Sequence, residues 1–281
     1  MRSACCLPLN TALVYAMLVL PLAAAPPHLI ERATPHGVVV GYQDTPLQPW
    51  TGNKYHVLDP ARPVPPTVVT SAPARVGAPP SDAIVLFDGT NLDKWKPASW
   101  KILDGSVQVA DHESLVTRDA FGDCQLHVEW RAPADSGDNF MNRGNSGVLM
   151  MGLYEIQIFD SWPGHRRQIY PDGQAASIYG QTPPLVNACR PPGKWQTYDI
   201  VFKAPVFVND KLVQKARVTM FHNGVLVHWN QAIMGPMAHR QILPYRPHPP
   251  KLPLMLQGHA CPVRFRNVWI RPLNLPETGT R

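Results

Sequence analysis

The stretch from Asn142 to Asp160 carries the densest set of side chains able to do chemistry. Tyr154-Glu155-Ile156-Gln157-Ile158 alternates polar and apolar residues. On a strand, successive side chains point to opposite faces. Glu155 and Gln157 therefore share one face, while Ile156 and Ile158 turn toward a core. Asp160 stands at an odd offset and joins Glu155 only if one β-bulge brings it round. Carboxylates and amides in a row can hold hydroxyl groups, and a carboxylate can move protons. The same alternation also suits a plain solvated face. Gln257 and His259 form a second row of equal parity. His259 is a candidate proton shuttle or metal ligand, or simply a structural histidine. His127 and Glu129 make a third pair with the same ambiguity. Arg143 and Asn145, in the turn Asn142-Arg143-Gly144-Asn145-Ser146-Gly147, complete the candidate binding set.

These residues need strands to position them. The chain has 281 residues, of which 44% are hydrophobic and 32 are proline. That is enough apolar material for a sizeable core. Proline at this level argues against a helical bundle, because it costs about 3 kcal/mol inside a helix. From residue 83 onward, short apolar runs alternate with turn residues. They predict strands near 84–87, 106–109, 114–117, 124–130, 147–151, 154–159, 195–202, 217–221, 225–229, 252–256 and 263–270. Asn223-Gly224 between two apolar runs is a hairpin signal. No segment of 12 or more residues beyond the leader keeps a clean helical period, so an all-β sandwich is expected.

Upstream, residues 1–25 have the layout of a signal peptide: Arg2, the apolar run 11–20, then Leu22-Ala23-Ala24-Ala25. This predicts an exported protein, periplasmic or extracellular, with no stable membrane span once the signal is cleaved. Residues 26–82 hold twelve prolines. They predict extended, polyproline-like chain that either docks on the domain through aromatics such as Tyr42 and Tyr55 or stays a free linker. The formal charge of +6 comes without any run of five basic residues, so the footprint of a nucleic-acid binder is missing. There is no G-x-S-x-G elbow, P-loop or H-E-x-x-H motif. Removing the signal leaves Cys124, Cys189 and Cys261, and no C-x-x-C pair points to a cysteine zinc site.

The ordered motifs together resemble one family. They are Val85-Leu86-Phe87-Asp88-Gly89, Asn91 to Trp95, Phe121 to Trp130, Gly144 to Val148, Tyr154 to Gln157, Gly193 to Tyr198, His222 to Val225, and Pro262 to Ile270. Over roughly residues 83–273, leaving a short tail at 274–281, the chain resembles the 3-keto-disaccharide hydrolase domain. The resemblance implies a concanavalin-like jelly-roll sandwich with a carbohydrate site on its concave sheet. It also implies hydrolysis of glycosides already oxidised at C3. A C3 ketone acidifies the C2 proton, so a base can remove it, the enolate expels the C1 substituent, and water adds back. Of the expected catalytic residues, Glu155 is the base or a ligand, His259 an acid/base or metal ligand, and Asp160 joins them only if the bulge turns it. Asn145, Gln157, Arg143 and Gln257 are the expected sugar ligands. A divalent ion held by histidine and carboxylate would polarise the ketone, though spacing alone does not establish one, and no organic cofactor is expected. A non-catalytic carbohydrate-binding sandwich is the alternative reading. The family usually reads Leu-Gln-Asp-His-Gly where this chain has Leu256-Gln257-Gly258-His259-Ala260, so a carboxylate expected before His259 is missing. Cys124 and Cys189 fall within motifs of this branch, and export permits them to pair. Three buried thiols are the other possibility.

Overall fold

The structure, a computed structural model, describes residues 28–35, 37–70, 78–135 and 139–275. The expected signal at 1–25 and residues 276–281 of the tail lie outside these. The strands are β1 (Leu29–Thr34), β2 (Gly37–Tyr42), β3 (Ile84–Phe87), β4 (Lys101–Leu103), β5 (Ser106–Gln108), β6 (Leu115–Phe121), β7 (Cys124–Arg131), β8 (Ser146–Met150), β9 (Tyr154–Ile158), β10 (Arg167–Ile169), β11 (Gln196–Lys203), β12 (Val206–Val208), β13 (Lys211–Gln214), β14 (Arg217–His222), β15 (Val225–Ala232), β16 (Leu252–Leu256) and β17 (Arg264–Pro272). Among the described residues, helix is confined to three single 3₁₀ turns. No helix there is long and apolar enough to cross a membrane.

Two sheets form the sandwich. The larger runs β15-β14-β11-β7-β17-β5-β4, with β3 also on β17, and the smaller runs β6-β16-β8-β9. Strand alternation explains how they pack. Leu126, Val128 and Trp130 of β7 and Tyr198, Ile200 and Phe202 of β11 are buried in one core with Val148, Met150, Ile156, Ile158, Leu254 and Leu256 of the smaller sheet. Each such side chain contributes roughly 1.5–3 kcal/mol by leaving water. The Asn223-Gly224 turn takes φ of 53° and 80°, the left-handed pair that joins β14 to β15 tightly. This is the all-β sandwich that the motifs imply.

The proline-rich segment differs from the expected polyproline-like chain. Gly37-Val38-Val39-Val40-Gly41-Tyr42 pairs antiparallel with β1 and parallel with β10. Backbone pairing and the buried Val39 and Val40 outweigh the extended preference of the surrounding prolines. A buried polar cluster locks the next stretch. Arg62 donates to Gln48 Oε1 at 2.6 Å, to Asp172 Oδ2 at 3.2 Å and to the Gln181 carbonyl at 2.8 Å. Gln48 donates to Asp172 and to the Gly180 carbonyl, and the Leu58 amide donates to Asp172.

The Cys124–Cys189 disulfide does not form. Cys124, Cys189 and Cys261 are all free and buried. Cys124 turns into the sandwich core from β7. Cys189 directs its thiol toward the Arg190 carbonyl, 3.5 Å away.

Candidate active site

The outer face of the smaller sheet forms the floor of a cavity of about 350 Å³. Asn145, Glu155, Gln157, Gln257 and His259 line it, together with Tyr42, Met141, Tyr170, Tyr179, Met237 and His239. The strand register places the polar residues. Gly147 lies opposite Gln157 and Leu149 opposite Glu155, in an unbroken β8–β9 ladder. The Gln257 amide donates to the Gly147 carbonyl at 2.9 Å, which carries the floor past the end of β16.

Glu155 is only 4% exposed. No hydrogen bond or ion pair holds its carboxyl among the described residues. Burial raises its pKa to about 8, so it carries a proton at neutral pH. Its carboxyl leans over Gly147, where any Cβ would overlap Oε1 and come within 3.1 Å of Cδ. Gln157 is held through its backbone: Tyr198 reaches across the core to donate to the Gln157 carbonyl at 2.7 Å. The Gln157 side-chain oxygen is buried and has no partner among the described residues. A buried acceptor of this kind is costly unless something bonds it, and here it lines a cavity.

His259 is fixed in one tautomer. Asn142 donates its amide N–H to the His259 carbonyl at 3.2 Å, which turns the amide oxygen toward Nδ1, 2.8 Å away. Nδ1–H therefore donates to that oxygen, and Nε2 keeps its lone pair. Burial, with help from nearby His112, lowers the pKa of His259 below its ordinary 6.5. At neutral pH the imidazole is uncharged. The rings of His112 and His259 lie 5.8 Å apart.

The missing carboxylate before His259 has a structural cause. A Cβ at Gly258 would overlap the Glu113 carbonyl oxygen and approach that of Asp111 to 2.9 Å. The 111–113 turn occupies the space that an aspartate side chain needs. It is held there by Trp100, whose Nε1–H donates to the Glu113 carbonyl at 2.7 Å. Asn142 does the orienting work at His259 that a neighbouring carboxylate would otherwise do.

Four candidates do not line this cavity. Asp160 follows the opposite parity, since the β8–β9 ladder contains no bulge. Its carboxylate lies 3.4 Å from the Arg143 guanidinium and shares a hydrogen bond with His165 Nε2 at 2.8 Å, with the Trp162 amide donating as well. Arg143 is thereby committed to Asp160 and to backbone carbonyls at 160 and 167. The pair braces the turn that presents Asn145. His127 and Glu129 lie on the far side of the molecule, on the outer face of the larger sheet. There His127 bonds Asp199 at 2.6 Å, and Glu129 bonds Arg266 and Asn267.

One wall of the cavity was not visible as a site in the sequence. Tyr170 and Tyr179 share a hydrogen bond at 3.1 Å, and Tyr179 bonds His239 Nδ1 at 2.7 Å. The segment 176–179 runs beside β9, with the Tyr179 amide donating to the Glu155 carbonyl at 3.1 Å. These residues sit in irregular loops with no periodic pattern, so only Tyr42, within an aromatic block, carried any signal. No three His, Cys, Asp or Glu side chains converge as a metal ligand set among the described residues.

The structure is a β-sandwich whose smaller sheet carries an open cavity holding a buried carboxyl and an imidazole. The chain is a member of the family with the 3-keto-alpha-glucoside-1,2-lyase-like domain, whose sequence model matches residues 82–271. A protein of Parabacteroides distasonis, provisionally named a glycosyl hydrolase, is 37% identical to this chain with a TM-score of 0.67. The match covers 75% of this chain and 93% of that one. Two further proteins of that organism, named in the same way, share the fold. One is 18% identical with a TM-score of 0.52, covering 69% of this chain and 94% of its own. The other is 22% identical with a TM-score of 0.51, covering 68% and 99%. No curated protein matches the chain. Family and relatives together support a glycoside-hydrolase-like function on a sugar substrate.

Proposed function

We propose that this is an exported enzyme that cleaves glycosides and disaccharides carrying a ketone at C3, by elimination and hydration. The observation that carries the reading is that one cavity holds a buried, unpaired Glu155 carboxyl and a His259 ring held through Nδ1 by Asn142. Glu155 holds a proton at neutral pH, and His259 offers a lone pair at Nε2. Environments that push two titratable groups apart in this way assign an acid and a base.

In the first half, His259 Nε2 takes the C2 proton and the electron pair moves onto the C3 oxygen as an enolate. The enolate collapses to expel the C1 substituent, whose oxygen takes the Glu155 proton. In the second half, water adds to C1 of the resulting enone. Its proton returns to Glu155, and His259 returns a proton to C2. The sum is hydrolysis, with both residues restored. The amides of Asn145, Gln157 and Gln257 hold ring hydroxyls, and the unpartnered Gln157 oxygen accepts one of them. Among the described residues no three-ligand metal set gathers, and no step is routed through an ion.

The test is incubation of the purified protein with a 3-keto-disaccharide and with its unoxidised parent, each with and without chelator. Turnover of the keto form only, undiminished by chelator, is expected. Equal turnover of the parent sugar overturns the need for a ketone. Binding of both without turnover makes the protein a carbohydrate-binding sandwich.

A further inference from the structure

The hairpin β1–β2 precedes the family match at 82–271, yet it supplies a wall of the cavity. Tyr42, the last residue of β2, lines it. The ring is packed on every side by the protein. Tyr170 is 6.3 Å away, His239 meets it edge-on at 88°, and the Arg240 guanidinium lies 5.5 Å over it. Tyr42 is nearly buried among these groups and still lines the cavity. The other two tyrosines of the wall spend their hydroxyls on each other and on His239. The Tyr42 hydroxyl has no hydrogen bond among the described residues.

The placement of this hydroxyl is built into the fold. Parallel pairing to β10 and the Tyr42 amide donating to the Leu58 carbonyl fix the backbone. The Gln48–Arg62–Asp172 cluster then ties the following chain to Asp172, Gly180 and Gln181, which flank the loops bearing Tyr170 and Tyr179. The cavity also has room to spare. About 350 Å³ equals roughly a dozen liquid-water volumes, and one hexose ring does not fill it. The reacting ring must lie on Glu155 and His259, since C1 and C2 have to meet them. What remains of the cavity must take the substituent on C1, and Tyr42 is one of the residues that line it.

We propose that the N-terminal hairpin completes the active site as a subsite for the leaving sugar, with the Tyr42 hydroxyl hydrogen-bonding a hydroxyl of that sugar. This rests on the elimination reading above. It makes Tyr42 a specificity residue for disaccharides, contributed from outside the domain that defines the family.

Tyr42→Phe tests it, because the ring packing is kept and only the hydroxyl is lost. One neutral hydrogen bond corresponds to roughly a 3- to 10-fold effect. With a 3-keto-disaccharide, kcat/KM is expected to fall by about that factor, mainly through KM. With the methyl 3-keto-glucoside, which has no second ring, it is expected to stay within about twofold. Equal losses on both substrates, or a loss on neither, overturn the proposal. Binding of the same two compounds is measured by calorimetry in parallel. A protein that turns over neither compound, but whose Tyr42→Phe variant weakens only disaccharide binding, keeps the subsite and loses the elimination chemistry. No selective weakening there removes the subsite as well.

Discussion

Two faces of the sandwich carry the same sequence pattern and opposite electrostatics. On the cavity side, no ion pair holds Glu155 or His259 among the described residues, and burial drives each toward its neutral form. On the outer face of the larger sheet, charges are matched. Burial works against a charged His127, but hydrogen bonds to Asp199 and Glu129 outweigh it and raise its pKa to about 9. Burial likewise works against the Glu129 charge, yet His127, Asn267 and Arg266 hold its pKa below the usual carboxylate range. His127 also stacks on Trp269, with ring centres 5.3 Å apart. Paired charges settle into fixed states and serve the fold, whereas unpaired buried groups stay close to switching and can exchange protons with a substrate.

The sharpest way to break this contrast is to neutralise one glutamate on each face. Glu155→Gln is expected to lower kcat by about 10²–10⁴-fold, the usual weight of general acid–base catalysis. Glu129→Gln is expected to leave kcat/KM within about twofold and to cost about 2 kcal/mol of stability, since a nearly buried, well-paired carboxylate is removed while the partly exposed Arg266 keeps access to water. Denaturant melts and steady-state kinetics on both variants decide the matter. Comparable activity losses on the two faces would erase the distinction.

Next in size is the effect of pH on rate. kcat/KM is expected to rise to a plateau that begins below 6.5 as His259 deprotonates, and to fall near pH 8 as Glu155 ionises. Because an alkaline limb set by Glu155 disappears when that carboxyl is removed, the residual activity of Glu155→Gln should lack it. Persistence of the limb in that variant would give it to another group.

Stability gives a third comparison. A raised folded pKa contributes stability below the ordinary value that is lost as pH rises through the folded value. For Glu155 that loss runs from about 4.5 to about 8, and for His127 from about 6.5 to about 9. Glu155→Gln should therefore melt higher than the parent at pH 8, with the gain shrinking toward pH 4.5. Thermal melts across this range would count against a buried, unpaired Glu155 if the gain were constant.

Gly258→Asp is a further probe of the cavity side. It restores the side chain usual in the family but drives it into the Asp111 and Glu113 carbonyls. A loss of about 1–3 kcal/mol is expected from such overpacking, with lower activity through displaced His259. A stable and more active variant would show that the turn yields. The smallest effect is expected from Asp199→Asn. Asp199 is substantially exposed, so below about 1 kcal/mol is at stake, visible mainly as a downward shift of the His127 titration by NMR.

Much of this was legible from residue order alone. Period-two alternation at 124–130 and 154–158 fixes which side chains enter the core, because successive strand residues must point to opposite faces. The Asn-Gly turn at 223–224 places a hairpin for a local steric reason. The ordered motifs named the family, and with Glu155, Gln157, Gln257 and His259 they named the cavity floor. What order could not carry was parity across separate strands. The β8–β9 ladder has no bulge, so Asp160 turns to Arg143 and His165, a pairing that side-chain period alone does not specify. The free state of Cys124 and Cys189 is equally a matter of placement.

The division has a single physical basis. Local sterics and side-chain period are properties of neighbouring residues, so the sequence by itself determined most strands of the sandwich, their buried faces and the chemical types available on the floor. Burial, and the partners a charge meets, depend on segments brought together from across the chain. Only the tertiary structure decided that Glu155 is buried without a partner among the described residues, that Asn142 rather than an aspartate aims His259, and that a tyrosine from the proline-rich segment lines the cavity.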